Sequence, residues 1–287
     1  TAYEKLKGIE VVYENEHVLL LNKPAGILSQ KSEASDLSVN EWLIGYLLKH
    51  KKISKEQLDT FKPSICNRLD RNTSGLMICG KSLMGSRQMN LLIKERKIRK
   101  FYRTFVKGKI EEATYLKGYL QKNNQTNKVI FKKNISEHLK EDFFEIETAY
   151  KPISYKNGYT YLEVELVTGK THQIRAHLAG TGHPLLGDAK YGDRNWNQSF
   201  KDLRIPDWQL LHSYRVEFPK LEERFEDISN SKFIADEPEI YKKLIELNQK
   251  KVNKKESEQQ LQEKNRKEFL RWLHGIPEDS GDLPWKN

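Results

Sequence analysis

Two cysteines in 287 residues, Cys66 and Cys79, are too few for a disulfide framework and cannot by themselves close a structural zinc site. No apolar run reaches the length needed to cross a bilayer, and the opening residues do not read as a secretory signal. A reducing, cytoplasmic setting without a membrane partner is therefore the expectation. The pairing of His-x-Glu with Pro-Cys-x-x-Cys is absent, which removes zinc deaminase chemistry, and no segment repeats at a fixed period. Hydrophobic residues are scarce at 37% while charged residues reach 31%, so part of the length is solvated rather than packed.

What is present is positive charge. Lys and Arg number 50 against 40 Asp and Glu, a net charge of +10, which favours a polyanionic partner, and without a membrane span nucleic acid is preferred. The chain opens with a hairpin over Glu10 to Leu21 around Glu14-Asn15-Glu16. Ser38 and Glu41 stand at capping-box spacing before a stripe of Val39, Trp42, Leu43, Tyr46 and Leu47, which predicts a helix with a core face. A second helix is expected from Ser82 to about Lys97, with Leu83, Met84, Leu91 and Leu92 as its apolar residues. Ile98 to Val106 alternates as a strand, placing Tyr102, Thr104 and Val106 opposite Phe101, Arg103 and Phe105.

Beyond it, Lys107 to Lys140 holds scattered short strands with Asn123-Asn124-Gln125 as an exposed tip. Asn157-Gly158 between two β-rich runs is a strong hairpin signal. A short helix is expected from His172 to Ala179, then a glycine-broken loop and a last strand near Leu210 to Phe218. From about Ile240 onward Lys and Arg alternate with Glu and Gln, so residues 1–247 read as one domain and 248–287 as a basic, helical extension.

The stretch Asn67-Arg68-Leu69-Asp70-Arg71-Asn72-Thr73-Ser74-Gly75 stands apart. It sets a carboxylate between two guanidinium groups, just before the apolar run Leu76-Met77-Ile78-Cys79. Flanking arginines would favour the ionised form of Asp70 and make it a ready nucleophile. Read alone, the motif is better taken as a surface ion pair worth ~0 to 1 kcal/mol.

Three further segments decide the matter. Asn22-Lys23-Pro24-Ala25-Gly26, Arg99-Lys100-Phe101-Tyr102, and Thr168-Gly169-Lys170-Thr171-His172-Gln173-Ile174-Arg175 through Gly182-His183-Pro184 occur in order with Arg68-Leu69-Asp70. Together, over about residues 9 to 245, they resemble the RluA-type pseudouridine synthases. The resemblance implies an α+β (mixed α/β) fold with a mainly antiparallel, bent mixed sheet, flanking helices and a central active-site cleft. It implies isomerisation of uridine in structured RNA, large-subunit (23S) ribosomal RNA first and transfer RNA second, by a monomer with no cofactor and no metal. A small RNA-binding module ahead of the catalytic domain is a further expectation of that family.

The same resemblance assigns residues. Asp70 is the nucleophile, by a route left open, and Arg175 holds and aims it, its planar fork suited to both carboxylate oxygens. Tyr102 matches the tyrosine that stacks on uracil and acts as base, against the alternative of a core aromatic. Arg68 matches the motif arginine that contacts RNA beside the flipped nucleotide; Lys23, Arg71 and Lys170 are expected, on their charge, to be phosphate contacts, each against the alternative of an ordinary surface charge. Two positions depart from the pattern: Asn67 stands where His is usual, and Lys170 where Arg is usual. His172, His177 and His183 raise a metal site, but five-residue spacing between the first two fits poorly and satisfied structural histidines are expected. Cys66 is expected to be buried and inert. The competing reading is a non-catalytic RNA-binding or assembly factor on the same fold, with a metal-dependent nuclease third.

Overall fold

A computed structural model describes residues 1–123 and 125–247. The extension expected over 248–287, like the Asn124 position of the predicted tip, lies outside the described residues. Two compact units are distinguished, Thr1–Glu237 and one opening at Pro238. In chain order the elements of the first unit are α1 (Ala2–Lys5), β1 (Glu10–Glu14), β2 (Val18–Lys23), α2 (Val39–Lys49), α3 (Lys55–Thr60), β3 (Ser64–Ile65), β4 (Ser74–Gly80), α4 (Leu83–Lys94), β5 (Arg99–Lys107), β6 (Thr114–Asn123), β7 (Lys128–Lys132), β8 (Phe144–Lys156), β9 (Tyr159–Leu166), α5 (Gln173–Gly180), α6 (Arg194–Gln198), β10 (Leu211–Glu217) and β11 (Lys232–Ile234).

The strands form one sheet in the order β1-β2-β4-β10-β5-β9-β8-β6-β7, with β3 on β4 and β11 on β10. Only β4 and β10 run parallel; the other described pairs are antiparallel, as expected. The reason the centre is buried on both faces is visible in β2. Val18, Leu19, Leu20 and Leu21 form an unbroken apolar run with no exposed surface, which suits a strand covered on each side. Leu19 and Leu21 enter one core with Met77, Tyr102 and Val164, roofed by Trp42 and Leu43 of α2 and Ile174 and Leu178 of α5. Val18 and Leu20 enter the other with Leu76, Ile78 and Val216, roofed by Met89 and Leu92 of α4.

Local signals hold where they are local. Asn15 closes the first hairpin by accepting from the amides of His17 and Val18 at 2.9 and 2.7 Å. Asn157 and Gly158 both take positive φ, 52° and 82°, the backbone a two-residue hairpin turn between twisted strands requires. Ser38 stands at the N-cap of α2 and donates to the Glu41 carboxylate, but its hydroxyl accepts from no backbone amide, so the expected capping box does not form.

The face of α4 differs from the expectation. Leu83 and Leu91 are exposed, and the buried positions are Gly85, Ser86, Met89 and Leu92. Small residues lie against the sheet because the helix sits close: a Cβ on Gly85 would meet the His17 carbonyl oxygen at 2.1 Å. The helix α3, capped by Ser54, and the strand β11 are additions to the predicted elements, and the 107–140 region contains one long hairpin, β6 and β7.

Candidate active site

The Asp70 loop is fastened on three sides. The Ser29 hydroxyl donates to the Leu69 carbonyl at 2.7 Å and accepts from the Leu69 amide at 3.0 Å, so one side chain brackets the residue before Asp70. Arg71 is tied twice to Gly26: its carbonyl accepts from the Gly26 amide at 2.9 Å and its Nε donates to the Gly26 carbonyl at 3.1 Å. The Thr73 amide donates to the Asp70 carbonyl at 3.0 Å, closing a turn. Beyond the turn, Gly75 at φ +109° lets β10 approach so closely that a Cβ there would lie 2.2 Å from the Ser213 carbonyl oxygen.

Lys23 corrects an expectation. It is not a phosphate contact; it has no exposed surface, and its Nζ donates to the carbonyls of Pro24, Ile27 and Arg71 at 3.0, 2.9 and 2.9 Å. Burial pulls its pKa down to about 7, with the Asp70 charge opposing. Three carbonyl acceptors use three N–H bonds, a set that only the ammonium form supplies. Lys23 thus joins the end of β2 to the loop that carries Asp70.

The opposite wall is the start of α5. Gln173, buried, accepts at Oε1 from the Thr168 hydroxyl and the Lys170 amide, and donates from Nε2 to the Glu147 carbonyl and the Thr148 hydroxyl. That clamp fixes the helix on β8 and aims Arg175 inward. Arg175 is only 6% exposed. Its fork does not bind both oxygens of Asp70, as the sequence suggested. Nε and Nη2 take Asp188 Oδ2 and Oδ1 at 2.7 and 3.0 Å, and Nη1 alone reaches Asp70 Oδ2 at 2.9 Å.

Burial works against charge on both members of the Arg175–Asp188 pair, but each is offset by the other. The arginine stays above its ordinary pKa, with help from Asp70. The Asp188 carboxyl is held below the usual carboxylate range, aided by the amides of Tyr191 and Lys190. Among the described residues no hydrogen bond or ion pair falls on Asp70 Oδ1.

The arginines flanking Asp70 in sequence are not its partners. Arg68 is exposed, and Arg71, also exposed, turns to Gly26. Lys170 is exposed with Nζ 3.9 Å from the Phe144 ring centroid, a cation over an open aromatic face. Asn67 accepts from the Ile78 amide at 2.7 Å, a structural bond that asks for no titratable group. Tyr102 is buried, and burial raises its phenol pKa; a hydrogen bond with Ser213 opposes the rise and Asp70 adds to it. Burial likewise pushes the Cys66 thiol up to about 12.

Two neighbours of the Asp70–Arg175 pair were not placed there by the sequence. Asp188 lies in the glycine-broken loop, where its only signal was an acidic residue between Gly187 and Gly192. His172, expected to be structural, has Nε2 3.8 Å from Asp70 Oδ2 and Nδ1 2.8 Å from the Tyr191 hydroxyl. The other two histidines do go to separate structural partners, His177 to Thr148 and His183 to the Lys107 carbonyl. A surface depression of about 500 Å³ lined by Asn15, His17, Arg224 and Asp227 among others shares no residue with this cluster.

Residues 17–180 match the family model described as RNA pseudouridylate synthase. Ribosomal large subunit pseudouridine synthase D of Borreliella burgdorferi is 31% identical over 236 residues, 81% of this chain and 66% of that protein. The chain therefore spans just under two thirds of that relative's length. tRNA pseudouridine synthase C of Vibrio parahaemolyticus is 30% identical over 227 residues, 73% of this chain and 84% of that protein. Human RNA pseudouridylate synthase domain containing 4 shares the fold, with a TM-score of 0.63 at 21% identity, covering 83% of this chain and 92% of that one.

Proposed function

The chain belongs to the RNA pseudouridylate synthase family, in its RluA-type branch, and on that premise we propose that it isomerises specific uridines to pseudouridine in structured RNA, first of all large-subunit ribosomal RNA. The observation that carries the reading is the asymmetric hold on Asp70: Arg175 takes Oδ2 and no described contact takes Oδ1. A nucleophilic carboxylate needs that division, one oxygen to orient and one to react.

The reaction breaks the bond from ribose C1′ to uracil N1 and forms one from C1′ to C5. The C5 proton leaves and N1 gains one, so there is no redox change and no net hydrolysis. Asp70 attacks and is later released; Arg175 keeps it aimed. A phenol kept neutral by burial is a weak base, so Tyr102 is assigned the wall on which the uracil lies. Reaching the uridine means extruding it from its stack at a cost of a few kcal/mol, which contacts from Arg68, Arg71 and Lys170 to the RNA would offset. We assign catalysis to residues 1–247, acting as a monomer in the cytoplasm, with 248–287 as a basic extension.

Transfer RNA is the second substrate reading, favoured by the transfer RNA enzyme of Vibrio parahaemolyticus, of which the chain covers 84%. The test is tritium release from RNA labelled at uridine C5, comparing the protein with Asp70→Asn on ribosomal and transfer RNA. Release from one pool that disappears in the variant names the substrate class. Equal release from both proteins would remove Asp70 from its role, and tight binding with no release would favour the non-catalytic RNA-binding reading.

A further inference from the structure

We propose that His172 is a positioning residue for Asp70: Tyr191 holds its imidazole with the proton on Nε2, and that N–H faces Oδ2, the oxygen already held by Arg175, so that Oδ1 is presented to substrate. The inference rests on Asp70 being the nucleophile.

The proton's place is set by hydrogen bonds on the far side of the ring. The Val129 amide of β7 donates to the Tyr191 hydroxyl at 2.9 Å. A hydroxyl that accepts there has its own proton left to donate, and His172 Nδ1 at 2.8 Å is placed to receive it. An imidazole that accepts at Nδ1 carries its proton on Nε2. That nitrogen is 3.8 Å from Asp70 Oδ2, beyond a hydrogen bond and within ~1 Å of one, a gap of the kind that closes when a site fills.

The charges facing the ring come from every side. Asp70 stands on the loop before β4, Asp188 and Lys190 on the loop after α5, and Arg175 on α5 itself. Burial lowers the His172 pKa, with Asp70 opposing and Arg175 and Lys190 assisting, so the neutral ring persists below the ordinary histidine range.

Two readouts test this, one independent of turnover. Histidine-ring nitrogen NMR on the full chain should show the Nε2–H tautomer for His172, lost or mixed in Tyr191→Phe, and a lower His172 pKa in Asp70→Asn. In the tritium assay, His172→Ala should lower kcat by about 10²-fold with KM little changed. His172→Gln, which offers an N–H at a similar position and cannot titrate, should recover most of that loss and abolish the acid-side fall in rate set by the histidine. An Nδ1–H tautomer, a His172 titration indifferent to Asp70→Asn, or a His172→Gln enzyme with the unaltered acid limb would overturn the inference. Failure of the unmodified protein to release tritium from any RNA would instead count against the isomerase, and the NMR arm would still decide the positioning of His172.

Discussion

Arg175 is a guanidinium with two jobs and enough hydrogens for both. Its Nε and Nη2 edge is spent on Asp188, so the remaining Nη1 meets Asp70 at a fixed angle. Lysine has the charge and lacks the fork. Arg175→Lys should therefore keep the fold by circular dichroism while single-turnover tritium release falls by about 10²-fold, because misplacing the carboxylate by ~1 Å is enough. A variant within a few-fold of the parent would show that charge alone suffices. That Asp70 and Arg175 would meet was legible because both sit in worded motifs. Asp188 was not, since it lies 13 residues beyond Arg175 in a loop whose path is set by tertiary contacts. Lys23 was misread for a related reason: beside a Pro-Ala-Gly turn a lysine reads as exposed, and only closure of the 24–29 loop over the Asp70 loop buries it.

At the level of elements, β4 carries the site because its first residues pass within contact of β10. Gly75 pairs with Ser213, and Ser213 pairs on its other side with Tyr102 of β5. One residue of β10 thus sets the spacing between the Asp70 loop and the Tyr102 ring. Gly75→Ala would place a methyl group 2.2 to 2.5 Å from Ser213 backbone atoms at a φ that L-residues avoid. It should destabilise the protein by more than about 3 kcal/mol, read as a lower urea midpoint. A change under about 1 kcal/mol, on the same order as a surface substitution, would mean the strands can part. The hairpins were legible because turn chemistry is local. The parallel β4–β10 pair was not, because nothing within either segment names a partner so far along the chain.

For the whole molecule the governing quantity is charge. A net +10 suits a polyanion, and Arg68, Arg71 and Lys170, all exposed, belong to the motifs on either side of Asp70. If each neutralises one phosphate, replacing all three by Ala should lower the slope of log affinity against log salt by about 2, given ~0.7 per phosphate on single strands. An unchanged slope would move the RNA path elsewhere on the surface.

The sheet order has a last consequence, in time rather than space. β4 and β5 are consecutive in the chain, yet the strand between them is β10, residues 211–217. As the chain leaves the ribosome, the strands behind Asp70 and Tyr102 wait with unfilled edges through more than a hundred further residues. Such a long-range insertion is slow and exposes those edges meanwhile. Until its second-to-last described strand is in place, a nascent chain therefore lacks the residue that spaces the Asp70 loop from Tyr102.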